Sequence, residues 1–277
     1  MALPAEARNM IYGYALTSAG TLEGDIVQDP ITNELQAVVR TDKSRIPFNQ
    51  LKYTSKQLKE ETEDLELQYN TLTFSKATHF SPGMNKVEKV LQFMSLCNPD
   101  RLSWITTVVL QPNICKNCYR DEVLNHRARD LVTLDNFCLQ HPTITFKFLL
   151  EHPYLSRSPG PFNISLLSFL TEADLTSRKL RRRSLYHLYA SNLPLPTTTS
   201  TMMDNVADSW RDDNFGTTGT VSDIRLTAPN LKFFPVGIEA GAKLKEDAHQ
   251  LAARAGLNER QEETWINLII DMVTNGL

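Results

Sequence analysis

Two close pairs of potential metal ligands are the residues of this sequence best suited to chemistry. Cys115 and Cys118 are separated by two residues, and Cys138 and His141 repeat that spacing further along the chain. Thiolates and an imidazole in two such pairs are the ligand set of a tetrahedral structural zinc ion, and the distance between the pairs lies in the usual range for such sites. The sequence therefore offers a zinc-stabilised nuclear binding domain as one hypothesis.

Helical periodicity gives these residues a second interpretation. Cys138 falls on the same side of a predicted helix as Leu131 and Leu134, where a small apolar thiol is ordinary core. His141 precedes Pro142, and the residue before a proline is pushed out of helical geometry. We therefore expect structural cysteines, with no metal and no cofactor, and keep the zinc site as the alternative.

The only concentrated positive charge is a basic run in the second half of the chain. It could bind a phosphate-bearing partner, act as a nuclear import signal, or present Ser184 to a basophilic kinase. Leucines at helical spacing favour a simpler interpretation, a helix with a solvated basic face. The residues of this run are Arg178, Lys179, Arg181, Arg182 and Arg183.

Signatures of the common enzyme classes are absent from the sequence. It has no Gly-x-Ser-x-Gly elbow, no phosphate-binding Gly-Lys-Ser/Thr loop, no Gly-x-Gly-x-x-Gly after a strand and no His-Glu-x-x-His. A catalytic set can still assemble from residues far apart in the chain. We therefore predict a non-enzymatic protein, with an enzyme assembled from the loops after the strands as an alternative.

Composition and charge restrict which partners we expect and in which cell compartment the protein works. The 277 residues are 41% hydrophobic and 22% charged, with a formal net charge of -3. Such a balance predicts a globular chain without the cationic field that binds nucleic acid or anionic membrane. The absence of a long apolar run, of a secretory leader and of a disulfide framework predicts a protein of the cytoplasm or nucleus.

The middle of the chain alternates between strand and helix patterns. Strands are predicted at 71–75, 103–110 and 143–149, separated by helices at 84–96 and 121–139. Strands joined by single helices pair in parallel through right-handed crossovers. The pattern predicts an α/β fold, with α+β as the alternative, in which irregular β-α repeats build a mainly parallel sheet.

The carboxyl-terminal segment predicts a helical hairpin. Helices are indicated at 242–255 and 259–274 by apolar residues at helical spacing. Gly256 is placed to end the first helix, and Asn258 with Gln261 resembles a capping box for the second.

The amino terminus predicts a helix beginning after Pro4, with an apolar stripe that is either packed on the core or exposed for docking. The stripe comprises Ala7, Met10, Ile11, Tyr14 and Ala15. A second helix is predicted between Gln50 and Leu67, and the segment Gly20 to Pro47 between them reads as loop with a short strand pair.

The amino-terminal stretch resembles the start of a known protein family. The run Leu3-Pro4-Ala5-Glu6-Ala7-Arg8-Asn9-Met10-Ile11-Tyr12, continued by Tyr14-Ala15-Leu16, resembles the start of the fungal F-box-like domains named after a Glu-x-Arg motif. In that family a second helix leads into an Asn-Thr-aromatic strand. Leu51 to Glu61 and then Tyr69-Asn70-Thr71-Leu72-Thr73-Phe74 follow the same order, with Lys56 and Leu72 departing from the common residues.

The resemblance implies a protein-interaction module in which F-box-like helices dock a Skp-type adaptor and the α/β part recognises a target. Leu3, Pro4, Ile11 and Tyr14 are then the partner-binding residues. We expect an F-box-like unit at 1–76, an α/β partner-recognition region at 77–192, a linker or irregular region at 193–232 and the helical hairpin at 233–277.

Overall fold

This computed structural model describes residues 3–29, 31–41, 46–75, 86–111, 124–150, 226–235, 238, 240–254 and 256–276. Its strands form a six-stranded sheet. The strands are β1 (Leu22–Gln28), β2 (Leu35–Thr41), β3 (Leu72–Phe74), β4 (Thr107–Leu110), β5 (Thr145–Leu150) and β6 (Leu231–Pro235). The helices are α1 (Ala5–Leu16), α2 (Lys56–Thr62), α3 (Glu66–Tyr69), α4 (Lys86–Leu96), α5 (Pro99–Leu102), α6 (Leu124–Gln140), α7 (Ala242–Arg254) and α8 (Glu259–Asn275).

Strand order follows chain order except at one edge. The order is β2-β1-β3-β4-β5-β6, with β1 antiparallel to β2 and parallel to β3, and β3 parallel to β4. Helices return the chain between successive parallel strands, as crossover connections require. The predicted α/β fold with a mainly parallel sheet and a carboxyl-terminal helical hairpin is confirmed.

The chain divides into two compact units. The first comprises Met1–Asn113 with Phe137–Lys147, and the second comprises Ile114–Asn136 with Phe148–Leu277. The first unit continues past the predicted boundary after residue 76, and the predicted boundary at 192 lies outside the described residues.

Close packing in the first unit centres on Phe74. Its ring meets that of Phe93 on α4 edge to face, with ring centroids 5.2 Å apart. A Cβ atom at Gly24 would lie 2.3 Å from Cζ of Phe74, so only glycine fits this position of β1. Gly24 therefore leaves the space in which the ring of Phe74 packs across β1.

The prediction of one continuous second helix is wrong in detail, because the structure interrupts it at two points. Ser55 begins a new helix by accepting a hydrogen bond from the backbone N–H of Leu58 at 3.1 Å, after a single 3-10 turn at Leu51–Tyr53. The helix ends at Thr62, and Asp64, whose φ is 64°, separates it from the next helix. The result is α2 and α3 in place of one helix.

The second unit ends in the predicted hairpin. Gly256 has a φ of 68° and ends α7, and Asn258 forms the capping box with Gln261 that begins α8. The two helices bury an apolar core that includes Leu244, Ile269 and further residues. Strand β6 is not predicted by the sequence, since it begins at the end of the region interpreted as linker.

Buried Asp135 of α6 closes the turn before β6. Its carboxylate accepts hydrogen bonds from the backbone N–H of Thr227 at 2.9 Å and of Ala228 at 2.9 Å. A carboxylate that satisfies buried backbone donors in this way has a structural role.

Candidate functional site

The outer face of α1 and the residues before it form an exposed apolar surface. Leu3 is 53% exposed, Met10 64%, Ile11 49% and Tyr14 83%. We call these four residues the α1 surface. Because large apolar side chains are exposed together here, the α1 surface is the candidate interaction site of the described residues.

A shallow groove continues the α1 surface toward the end of the helix. Its volume is about 500 Å³, and its lining is mostly apolar. The lining residues are Met10, Gly13, Tyr14, Thr17, Ser18 and Ala19.

The opposite side of α1 holds the helix to α2. Tyr12 and Leu16 are the buried residues of the helix. The Tyr12 hydroxyl donates to Glu61 Oε2 at 2.5 Å, and Arg8 Nε lies 3.1 Å from the same oxygen. The predicted stripe is therefore the exposed side of the helix, and a polar anchor forms the packed side.

The hydrogen bond between Tyr12 and Glu61 shifts the pKa values of these two groups in opposite directions. The Tyr12 hydroxyl, together with the Gln57 amide, lowers the pKa of Glu61 below its usual value. The same bond to Glu61 and partial burial raise the pKa of Tyr12. The carboxylate therefore stays ionised and the phenol protonated near neutral pH.

Arg8 also fixes the start of the α1 surface. Its guanidinium Nη1 donates to the backbone oxygen of Leu3 at 2.8 Å, and its backbone N–H donates to the oxygen of Pro4 at 3.1 Å. Leu3 and Pro4 are both exposed. One arginine thus anchors the helix and positions the two residues that precede it.

Asn70 ties the end of α1 to the start of β3. Its side-chain amide donates to the backbone oxygens of Leu16 at 2.6 Å and Glu66 at 2.8 Å, and its carbonyl oxygen accepts from the N–H of Ser18 at 2.7 Å. Both polar atoms of its side chain are used, and the bonds to Leu16 and Ser18 join segments that are distant in sequence. Arg8, Tyr12 and Asn70, which belong to the stretches that carry the family resemblance, thus hold α1 in place.

A second polar cluster lies where the pairing between β1 and β3 ends. Lys89 of α4 has a fully buried side chain whose Nζ lies 3.2 Å from Asp25 Oδ1 and 3.5 Å from Glu23 Oε1. Arg40 Nη1 lies 3.4 Å from Asp25 Oδ2, and Ser75 donates its hydroxyl hydrogen to Glu23. The sequence does not predict this cluster, although polar residues at 23 and 25 alternate with Leu22, Gly24 and Ile26 as in a strand.

The Lys89 cluster has the composition of a catalytic site and the geometry of a structural one. Its central ammonium is fully buried, Asp25 is 2% exposed, and each carboxylate faces a cation. A charge removed from water in this way is tolerated because it is paired. The cluster therefore joins α4 to the β1–β2 hairpin.

The predicted zinc ligands lie partly outside the described residues. Cys115 and Cys118 are not described, and Cys138 is fully buried on α6. The His141 ring packs on Phe137 with centroids 4.3 Å apart. In the parts of the chain that the structure describes, no group of three or more His, Cys, Asp or Glu side chains is arranged to hold a metal ion.

The predicted basic patch, formed by Arg178, Lys179, Arg181, Arg182 and Arg183, also lies outside the described residues. Cys97 is described, and burial, with Asp64 and Glu66 nearby, raises the pKa of its thiol to about 12, which disfavours the thiolate form.

Comparisons with known protein families, with curated proteins and with solved structures find no match to this chain. Over the described residues, no helix combines the length and the apolar character needed to span a membrane.

Proposed function

We propose that this protein is a non-enzymatic interaction module, F-box-like in its amino-terminal helices, that binds a Skp-type adaptor through the α1 surface. The α/β part then recognises the target. The observation that carries the proposal is the orientation of α1, which exposes Met10, Ile11 and Tyr14 and turns its polar side toward α2.

The chemistry of the α1 surface suits a protein partner. Its side chains are apolar or aromatic, and such residues dominate the energetic centres of protein interfaces. Tyr14 adds a hydroxyl that can stay hydrogen-bonded when the ring is covered. A helix fixed on one side also loses little conformational entropy on binding.

Co-expression with a Skp-type adaptor tests the proposal directly. We expect a stable complex with the wild-type chain, and its loss in the variant that combines Leu3→Ala with Pro4→Ala. Tyr14→Ala should weaken binding by about tenfold or more, as truncation of a central interface residue does. Calorimetric titration of adaptor into each purified variant gives these affinities.

A matched control is available in Ile31, which is 92% exposed on a different element. Ile31→Ala removes a similar exposed apolar side chain and should leave adaptor affinity unchanged. Circular dichroism must show that each variant remains folded. A wild-type chain that forms no complex with the adaptor would refute the proposal.

A further inference from the structure

β2 is an edge strand, and part of its outer edge has no backbone hydrogen bond to the described residues. β2 stands at one end of the strand order, and its partner β1 pairs with it from Leu22↔Thr41 to Gln28↔Leu35. Phe48 donates its backbone N–H to the oxygen of Val39 at 2.7 Å and so covers the far part of this edge. The segment Leu35 to Val38 has no such cover among the described residues.

Backbone N–H and C=O groups alternate in direction along β2, and this alternation determines which of them the edge presents. Since the Val39 oxygen points outward to Phe48, and backbone direction alternates along a strand, the N–H and C=O of Leu35 and Ala37 also point outward. Among the described residues nothing is hydrogen-bonded to these four groups. Proteins protect such edges with lysine, proline or a bulge, and Leu35 to Val38 has none of them.

We propose that β2 pairs antiparallel with β2 of a second copy of this chain, so that two sheets join across a two-fold axis at Gln36. This contact uses a surface other than the α1 surface and goes beyond the proposed function. The outward groups of the edge can satisfy one another in one symmetric register, and this self-complementarity argues for a second copy as the partner.

Only one symmetric register satisfies all four outward groups. With Leu35 opposite Leu35 of the second copy, the next position is Asn33, which leaves the strand with a φ of 65°. With Ala37 opposite Ala37, the next position is Val39, whose oxygen already accepts from Phe48. With Leu35 opposite Ala37, both copies contribute two residues and four backbone hydrogen bonds form.

Side chains fit this register as well. Leu35, 44% exposed, lies beside the small side chain of Ala37 of the second copy, and no like charges face each other at the centre.

Sedimentation velocity on the full chain from about 1 µM to about 1 mM, the range of weak association, tests the proposal. We expect a concentration-dependent shift from 31.4 kDa to twice that mass. Ala37→Pro removes an outward N–H without touching the ladder to β1, and should weaken association at least about tenfold, because the two-fold axis removes the bond twice. Ala37→Ser keeps the N–H and should associate like the wild type.

Hydrogen exchange supplies a readout that does not depend on a variant. The amides of Leu35 and Ala37 should exchange more slowly as concentration rises, whereas those of Gln36 and Val38, which face β1, should not change. If Ala37→Pro disturbs the fold, Leu35→Lys places a charge at the same edge and should also prevent association.

A chain that sediments as a monomer throughout overturns the proposal and leaves the edge to an extended segment of a different protein. Association that survives both edge variants overturns it as well. Failure here is separate from failure of adaptor binding, because the two experiments use different surfaces and different variants.

Discussion

Glu61 and Glu66 are close in sequence but have different surroundings in the folded protein. Both belong to an acidic run at 60–66, and a charge run of this kind usually forms a solvated face. In the structure Glu61 is anchored by Arg8 and Tyr12, and Glu66 is 3% exposed and accepts a hydrogen bond from Asn49 at 2.8 Å. Hydrogen bonding lowers the pKa of the first, and burial raises the pKa of the second.

Glu66→Gln should therefore stabilise the protein at neutral pH by about 1 kcal/mol, because it removes a buried charge and keeps an oxygen for Asn49. The pKa of Glu66 is higher in the folded state than in the unfolded one, so the wild type loses stability as pH rises through the interval between the two values. The advantage of the variant should appear across that interval and vanish below it. Urea unfolding at a series of pH values measures this difference.

Glu61→Gln is the matched control and should behave in the opposite way. The folded-state pKa of Glu61 is lowered, so its contribution is present above the ordinary carboxyl range and is lost as pH falls through the folded value. This variant should be less stable than the wild type at neutral pH and equal to it in acid. The same pH profile for both variants would contradict the assigned environments.

At the scale of elements, α4 shows what periodicity can and cannot predict. The apolar positions Val87, Val90 and Met94 are buried as their spacing indicates. Lys89 on the same helix is buried too, because β1 supplies two carboxylates that no local pattern connects with it. Helix positions follow from local sequence, whereas a buried ion pair depends on which strand becomes the neighbour.

Lys89→Met should cost about 3 kcal/mol of unfolding free energy, since it leaves buried Asp25 and half-buried Glu23 with less compensating charge. Combining it with Asp25→Asn should recover part of that loss, because the uncompensated charge is then smaller. Lys56→Met is the control: its ion pair with Glu60 is largely exposed, and removing it should cost less than about 0.5 kcal/mol. Chemical denaturation of the four proteins gives the comparison, and a double variant no more stable than Lys89→Met would argue against charge compensation.

For the whole molecule, the sequence predicts the fold class, a strand pair between Gly20 and Pro47 and the helical hairpin, but it misses β6. The need for glycine at position 24 of β1 could not be predicted either, because it depends on the ring of Phe74 from a strand distant in sequence. β6 follows a long stretch without periodic pattern, and its pairing comes from distant residues. The candidate site was predictable in its residues but not in its orientation, because an apolar stripe on a terminal helix is consistent with either a packed or an exposed face.

The two proposed contact surfaces, the α1 surface and the β2 edge, are separate, and their independence is a further prediction. α1 is held by α2 and α3, whereas the β2 edge depends on β1 and Phe48, and the two sets share no residue. Sites without shared partners combine additively within about 0.5 kcal/mol. Ala37→Pro should therefore leave adaptor affinity within about twofold of the wild type, and Tyr14→Ala should leave self-association unchanged.

Light scattering on the complex with the adaptor tests the same point by mass. At high concentration the wild-type complex should contain two copies of the chain and two adaptors, and the Ala37→Pro complex one of each. One adaptor per pair of chains would mean that binding at one α1 surface blocks the other, which would contradict independence. Because the mass of each species is measured directly, this result does not depend on how either variant affects stability.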